Sequence, residues 1–154
     1  NEVIADKVYK MVLSGDTSDI TATGQFVNLK LDGFYLRRPI SVCDFEEGKL
    51  TLIYKVVGKG TEFMSALSAD DTLDILTGLG NGYDLSPSGD KPLLIGGGVG
   101  VPPMYALAKS LVKVGNTFEF KWADNSVSDG DIMHFMDRGD AAPNERFNYV
   151  FIKE

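Results

Sequence analysis

Residues 96–100 read Gly96-Gly97-Gly98-Val99-Gly100, between the apolar run Pro92-Leu93-Leu94-Ile95 and Val101-Pro102-Pro103. Four glycines in five residues remove side chains where a predicted strand meets a predicted helix. A phosphate can therefore approach the backbone and the positive end of the helix dipole. The stretch is no P-loop, because no Gly-Lys-Ser/Thr follows, and Pro103 stands where the dinucleotide motif G-x-G-x-x-G has its third glycine. It predicts either a nucleotide-binding turn or an ordinary strand-to-helix turn.

The residues around this turn predict a βαβ unit. Apolar residues recur at helical spacing after the two prolines, and Gly115 is suited to end that helix. The pattern is typical of the start of an open parallel sheet. We expect strands over 92–95, 117–122 and 147–152, and helices over 102–114 and 131–138.

Residues 1–88 have the periodicity of short antiparallel strands. Runs rich in Val, Ile, Leu, Tyr and Phe alternate with turn clusters such as Ser14-Gly15-Asp16. Several such strands at a spacing of roughly ten residues predict a small β-barrel. The runs cover 8–13, 25–31, 38–43, 50–57 and 72–76, with a short helix over 62–67 and Thr61 as its predicted N-cap. The expected fold is an antiparallel β-barrel over 1–88 followed by an incomplete α/β open parallel sheet over 89–154.

Composition argues against several classes of protein. The 154 residues carry a formal net charge of −7, whereas nucleic-acid binding needs clustered Lys and Arg. No run approaches the ~18 apolar residues of a membrane span, and no basic-apolar leader opens the chain. The single cysteine, Cys43, suits a reducing cytoplasmic compartment and cannot by itself hold an iron–sulfur cluster. His134, the one histidine, is interpreted as a helix-surface residue.

A second motif is Arg37-Arg38-Pro39-Ile40-Ser41. Arginine offers paired donors to a phosphate, Pro39 stiffens the backbone and Ser41 adds a hydroxyl. Side chains three residues apart on an ideal strand point to opposite faces. A bulge or bend near Pro39 is therefore needed if Arg38 and Ser41 contact one ligand. The alternative interpretation is an edge strand with a solvated basic pair.

Two further segments contain closely spaced glycines. In Ile53-Tyr54-Lys55-Val56-Val57-Gly58-Lys59-Gly60-Thr61, a strand leads into a helix whose free N–H groups can hold a phosphate, and Tyr54 is suited to lie along a planar ring. Thr77-Gly78-Leu79-Gly80-Asn81-Gly82-Tyr83 predicts a turn between the two halves, where a ligand wedged between domains would lie. Each segment also fits an ordinary helix start or turn.

In this order the four motifs resemble the ferredoxin-reductase superfamily, and within it the electron transfer subunits of NAD-linked (type B) dihydroorotate dehydrogenases. The resemblance is carried by Leu36-Arg37-Arg38-Pro39-Ile40-Ser41, Leu79-Gly80-Asn81-Gly82 and residues 95–103, and extends over about residues 2–118. It implies a barrel that binds FAD, followed by a domain that binds NAD(H). The residues implied to hold FAD are Arg38, Pro39, Ile40 and Ser41 beside isoalloxazine and phosphates, Ile53, Tyr54 and Lys55 along the flavin, and Gly60 and Thr61 at the pyrophosphate. Those implied to face the nicotinamide nucleotide are Gly97, Gly98 and Gly100.

The same resemblance implies a function in pyrimidine biosynthesis. Electrons would pass between NAD(H) and FAD, then through a [2Fe–2S] cluster to an FMN-containing catalytic subunit that oxidises dihydroorotate to orotate. No side chain is implied as a general acid or base, because the cofactors carry the chemistry. The alternatives are a sibling reductase subunit that couples NAD(P)H to ferredoxin, and a non-catalytic flavin-binding module.

Two features of the chain differ from the family pattern. It lacks the T-C-G-P-like strand end and the four-cysteine loop for the [2Fe–2S] cluster, and stops at Glu154. We therefore expect a truncated α/β domain, no cluster ligands and an open sheet edge that favours an oligomer. Asp124, after the second strand of the βαβ unit, favours NAD over NADP, since a carboxylate there accepts from the ribose 2′-hydroxyl.

Overall fold

The computed structural model describes residues 1–117 and 119–122. These residues form eight strands, two α-helices and a single 3-10 turn over Gly98–Gly100. In chain order the elements are β1 (Glu2–Ala5), β2 (Val8–Ser14), β3 (Phe26–Lys30), β4 (Arg38–Glu46), β5 (Lys49–Lys55), α1 (Lys59–Ser65), β6 (Asp74–Leu79), β7 (Leu93–Gly96), α2 (Val101–Lys113) and β8 (Glu119–Trp122).

The first six strands form one antiparallel sheet in the order β1-β2-β5-β4-β3-β6. The predicted antiparallel half is thus confirmed. The sheet curls around one core, and its edge strands β1 and β6 are not paired with each other, so the barrel is open. β1 was not predicted, because all four of its residues are exposed and no alternation marks them. The buried core residues are Met11, Ile20, Val27, Leu29, Leu31, Val42, Leu50, Leu52, Tyr54 and Met64.

Strands β7 and β8 and helix α2 form the predicted βαβ unit. β7 and β8 pair in parallel, from Leu93↔Glu119 to Gly96↔Trp122, and α2 connects them. The apolar face of α2 packs on Leu94 through Met104, Leu107 and Leu111. Burial of this face stabilises the helix more than its intrinsic propensity does.

Several predictions fall outside the described residues. These are the helix over 131–138, the strand over 147–152, the surface position of His134 and the role of Asp124 in nucleotide choice. The division of the chain at residue 88 into two domains stays a prediction. No helix in the described part of the chain is long and apolar enough to cross a membrane.

Candidate functional site

Strand β4 changes its pairing partner half-way along its length. Arg38–Ser41 pairs with β3, in a register from Leu29↔Arg38 to Phe26↔Ser41. From Val42 onward β4 pairs with β5, and that ladder ends at Val42↔Leu52. The last three residues of β5 pair with β2 alone. Continuing the register puts Ser41 opposite Ile53, so two strand edges face each other without a shared ladder. Backbone groups on such edges need other partners, which a ligand can supply.

Arg38 lies beside this opening and over the start of α1. A Cβ built on Gly60 would lie 2.6 Å from Nη2 of Arg38 and 2.7 Å from its Cζ. The guanidinium also lies 5.2 Å from the centroid of the Phe34 ring, and its Nη1 donates to the carbonyl oxygen of Leu36. Among the described residues no carboxylate pairs with Arg38. A half-buried cation is thus held beside a positive helix end, which favours an anion between them.

The neighbouring Arg37 has a different role. Its guanidinium donates to both carboxylate oxygens of Asp74, at 3.1 and 3.0 Å, and to the carbonyl oxygen of Asn28 at 3.2 Å. These bonds join the 31–37 loop to β3 and β6. The interpretation of Arg37-Arg38 as a solvated basic pair is therefore wrong for Arg37, and the hydrogen bonds from Arg37 hold the pKa of Asp74 below its usual value.

The bend near Pro39 that would let the Arg38 and Ser41 side chains share one face is absent. The register with β3 is constant from Arg38 to Ser41, and the register shift of β4 lies at Cys43 instead. Pro39 and Ser41 are exposed, whereas Ile40 packs against the core. Arg38 and Ser41 are roughly 10 Å apart along the strand, from its rise per residue. Without a bend their side chains also point to opposite faces of the strand, so a ligand that contacts both must run along the open edge of β4.

Tyr54 belongs to the core. Its side chain is 2% exposed, its ring stacks on Tyr9 with centroids 5.8 Å apart, and its hydroxyl donates to Oδ1 of Asn1. Burial raises the pKa of Tyr54 to about 12. The expectation that this ring lies along a flavin is wrong, because alternation along β5 turns it inward with Leu50 and Leu52. Only its backbone, with the half-buried Ile53 and the exposed Lys55, lies at the opening.

Thr61 is not the N-cap of α1. The helix begins at Lys59 with Gly58 as its N-cap, and Thr61 is at the third helical position. Its Oγ1 accepts from the N–H of Val57 at 2.9 Å and of Gly58 at 3.2 Å, and donates to the Gly58 carbonyl at 3.0 Å. A side chain at the third position can reach back to satisfy the N-cap backbone. The hydroxyl is thus occupied, and Thr61 offers a ligand its backbone N–H.

The glycine-rich turn has few donors for a phosphate. The N–H of Gly100 donates to the Gly97 carbonyl at 2.8 Å, and that of Val101 donates to the Gly98 carbonyl. The next two helical residues are prolines, which have no N–H. The expected phosphate site at the start of α2 is therefore not supported. The half-buried Gly97 and the exposed Gly98, which has φ of +50°, leave a surface free of side chains that suits a flat ring.

The turn with glycines 78, 80 and 82 is explained by packing within the chain. All three have positive φ values, which favours glycine. A Cβ on Gly82 would lie 2.6 Å from that of Ala22, and one on Gly80 would lie 3.3 Å from the Phe26 ring. In addition, Nε2 of Gln25 donates to the Gly80 carbonyl at 3.2 Å. This turn therefore closes the sheet onto its own loop.

A groove of about 460 Å³ lies between the outer face of the sheet and the start of α2. Ile53, Val101 and Pro102 line it, so the end of β5 and the first residues of α2, directly after the glycine-rich turn, border the same space. Arg38 and Ser41 are not among its lining residues.

Cys43 also lines the groove, but it is only 5% exposed, and burial raises the pKa of its thiol to about 11. Within the described residues no three His, Cys, Asp or Glu side chains are placed to hold a metal ion.

Comparison with known proteins agrees with this arrangement. The chain is 46% identical over 132 residues to the electron transfer subunit of dihydroorotate dehydrogenase B (NAD(+)) of Listeria welshimeri, covering 82% of this chain and 52% of that one. The chain is a homologue of these subunits. The one from Bacillus caldolyticus is 44% identical over 121 residues, covering 73% and 47% of the two chains. The chain thus spans about half the length of the curated relatives it matches, and no family model matches it.

Solved structures confirm the resemblance to ferredoxin reductases. An NADH-dependent reduced ferredoxin-NADP oxidoreductase, described for its flavin-based electron bifurcation, matches with a TM-score of 0.73 and 33% identity over 80% of this chain and 46% of its own. Phthalate dioxygenase reductase matches with a TM-score of 0.64 and 20% identity over 80% and 41% of the two chains, which shows a shared fold alone.

Proposed function

We propose that this chain binds FAD and carries electrons between NAD(H) and the FMN-containing catalytic subunit of a dihydroorotate dehydrogenase. The name that its homologues carry supports the proposal. When bound, FAD exchanges hydride with a nicotinamide and releases electrons one at a time, which is chemistry that side chains cannot supply. Location in the cytoplasm, favoured by the single cysteine, belongs to the proposal.

The observation that carries the proposal is the position of Arg38. This half-buried cation has no carboxylate partner among the described residues and lies over a glycine that leaves room for it. A pyrophosphate supplies the missing negative charge and forms charge-assisted hydrogen bonds with a guanidinium. Backbone N–H groups of Gly60 and Thr61, in the same turn, would complete its coordination.

The facing strand edges suit the isoalloxazine ring. Its pyrimidine edge alternates hydrogen-bond acceptors and a donor, as a strand edge does. In this proposal Arg38–Ser41 and residues 53–55 contact that ring through backbone groups and the Ser41 hydroxyl. The side-chain-free surface of Gly97 and Gly98 would receive the nicotinamide, which needs a flat contact and no phosphate donors, and the buried Gly100 would shape the turn behind it. The preference for NAD over NADP, which depends on Asp124, remains part of the proposal.

Flavin binding tests the proposal directly. The purified chain should show flavin absorbance bands, or gain them on titration with FAD. Arg38→Ala removes a charge-assisted contact of about 1.5–3 kcal/mol and should weaken FAD binding about tenfold or more. Lys113→Ala, a change at an exposed cation of α2, is the matched control and should bind FAD like the parent. Equal affinity of the Arg38 variant and the parent would reject the assignment.

A sibling reductase that couples NAD(P)H to ferredoxin is the second candidate, because the ferredoxin-NADP oxidoreductase structure shares 33% of its residues with this chain over the matched region. The electron acceptor distinguishes the two. Stoichiometric association with a dihydroorotate-oxidising flavoprotein supports the first function, whereas reduction of added ferredoxin without such association supports the second.

A further inference from the structure

We infer that the ion pair of Asp44 and Lys109 is a positioning element that fixes the glycine-rich turn relative to strand β4. The inference rests on the proposed function. Nζ of Lys109 donates to both carboxylate oxygens of Asp44 at 2.7 Å, across 65 residues of sequence. The other three ion pairs among the described residues all lie before residue 80, so of these four ion pairs only this one connects the antiparallel sheet to the βαβ unit.

The β-bulge at Cys43 turns Asp44 toward α2. Val42 faces the core, so regular alternation would make the Asp44 side chain face inward as well. The register shift adds Cys43 as an extra residue, after which Asp44 lies opposite Thr51 and Phe45 packs against the core. Bulges commonly redirect a side chain in this way. Burial of an unpaired carboxylate would be costly, which explains why the shift occurs before Asp44.

Lys109 lies on the helix that begins directly after the glycine-rich turn. It is eight residues, or roughly 12 Å, beyond Val101, and its Nζ lies 5.7 Å from the centroid of the Tyr105 ring. The hydrogen bonds to Asp44 raise the pKa of Lys109, so it stays charged at neutral pH. Because α2 is a continuous helix of 13 residues, fixing Lys109 also fixes Gly100 at its start.

Strand β4 carries Asp44, the partner of Lys109 in the ion pair. Ser41 and Arg38 precede Asp44 by three and six residues on the same strand. Strand β4 and helix α2 also pack against each other, and this ion pair adds a directional contact to that packing, between the proposed flavin and nicotinamide surfaces. The C-terminal end of α2 is held separately, since Nδ2 of Asn116 donates to Oγ of Ser88 at 3.4 Å.

Effects on geometry and on stability are expected to differ. The side chain of Lys109 is 35% exposed and that of Asp44 is 23% exposed, and partly exposed ion pairs contribute little to global stability. Hydride transfer depends steeply on distance, and misplacement by about 1 Å can slow a reaction about a hundredfold. Breaking the pair should therefore slow flavin reduction about tenfold and leave the unfolding midpoint nearly unchanged.

The experiment compares Lys109→Met, Asp44→Asn and Lys109→Arg with the control Lys113→Met in the flavin-loaded protein. The first readout is hydrogen exchange at the amides of residues 97–101, which should become faster in the two variants that break the pair. The second is the rate of flavin bleaching at saturating NADH, which should fall about tenfold in the same variants. Lys109→Arg, which keeps the charge, should restore both readouts, and the control should change neither.

The outcomes separate this inference from the proposed function. Unchanged exchange at residues 97–101 overturns the positioning role. Faster exchange with unchanged bleaching shows that the pair holds the turn and overturns its role in the rate of flavin reduction. If the parent chain binds no flavin, or if NADH does not reduce its bound flavin, the proposed function and the role of the pair in it are rejected. The exchange measurement then still decides whether the ion pair holds the turn.

Discussion

The guanidinium of Arg38 occupies the space that a side chain at Gly60 would need. A Cβ at Gly60 would approach Nη2 of Arg38 to 2.6 Å. The conflict involves the far end of a flexible side chain, so Arg38 can move away without unfolding the protein. A methyl group added at Gly60 should therefore displace this cation with little effect on the stability of the fold.

Gly60→Ala should weaken FAD binding with little change in the unfolding midpoint, because the displaced Arg38 can no longer meet a pyrophosphate beside α1. Gly58→Ala is the matched control in the same turn. Gly58 has extended φ of −177°, and a Cβ there meets nothing within 4 Å. Fluorescence titration with FAD and a thermal melt are sufficient. If both variants bind FAD like the parent, Arg38 does not hold the cofactor.

Arg37→Ala should lower the stability of the fold and leave FAD affinity unchanged, whereas Arg38→Ala should weaken FAD binding. It removes the paired hydrogen bonds to Asp74 and the bond to the Asn28 carbonyl. We expect a thermal unfolding midpoint lower by a few degrees and an unchanged FAD dissociation constant in the protein that remains folded. Loss of FAD affinity with an unchanged midpoint would assign Arg37 to the cofactor site instead.

Asp74→Asn should remove part of the acid sensitivity of the fold. The pKa of Asp74 is lowered by its hydrogen bonds with Arg37, so the folded value lies below the unfolded value of about 3.9. The stabilisation is complete above that range and is lost as pH falls through the folded pKa. The parent and variant should differ in urea midpoint at pH 7 and converge below about pH 4. The exposed Asp32→Asn is the control, and a gap that persists in acid contradicts the prediction.

Cys43 should react slowly with thiol reagents in the folded protein. It is 5% exposed, and burial together with the charge of Asp44 raises its pKa to about 11. The thiolate is the reactive form, so little is present at pH 8. Alkylation should accelerate strongly in denaturing urea. Complete labelling within minutes under native conditions would identify an accessible thiol in the groove.

Leu52→Ala tests the core of the antiparallel sheet. Leu52 is fully buried, on the strand that pairs with both β2 and β4. Its truncation should cost about 2–5 kcal/mol of unfolding free energy. The same change at Leu76, which is 47% exposed on β6, should cost under about 0.5 kcal/mol. Equal losses at the two positions in urea unfolding would contradict the assigned core.

Periodicity predicted the elements because burial imposes it. Leu50, Leu52 and Tyr54 alternate with polar or half-buried residues, so β5 was visible in the sequence. β1 was not, since it has no buried face. The start of α1 was misplaced because Thr61 satisfies the N-cap backbone from the third helical position, whereas side-chain capping from the N-cap itself is the commoner pattern.

The candidate site could be predicted only at the level of motifs. Arg37 and Arg38 are adjacent and identical in type, and their difference depends on Asp74, a residue 37 positions away. The inward orientation of Tyr54 was accessible from alternation, but the glycine-rich motif that follows it favoured a ring beside a planar ligand, and the resemblance then assigned that ligand as the flavin. The change of partner by β4 depends on strand register, which emerges only when all the strands are assembled.

The bulge at Cys43 has a consequence for how β4 tolerates changes in length. Without Cys43, ordinary alternation would place Val42 inward, Asp44 outward and Phe45 inward, which is the arrangement that the bulge already gives. Deletion of Cys43 should therefore keep both faces of the strand. Deletion of a residue from the regular pairing with β3, such as Ile40, would instead exchange the two faces on one side of the gap. Cys43 thus matters less for its thiol than for being one residue more than the facing strand provides.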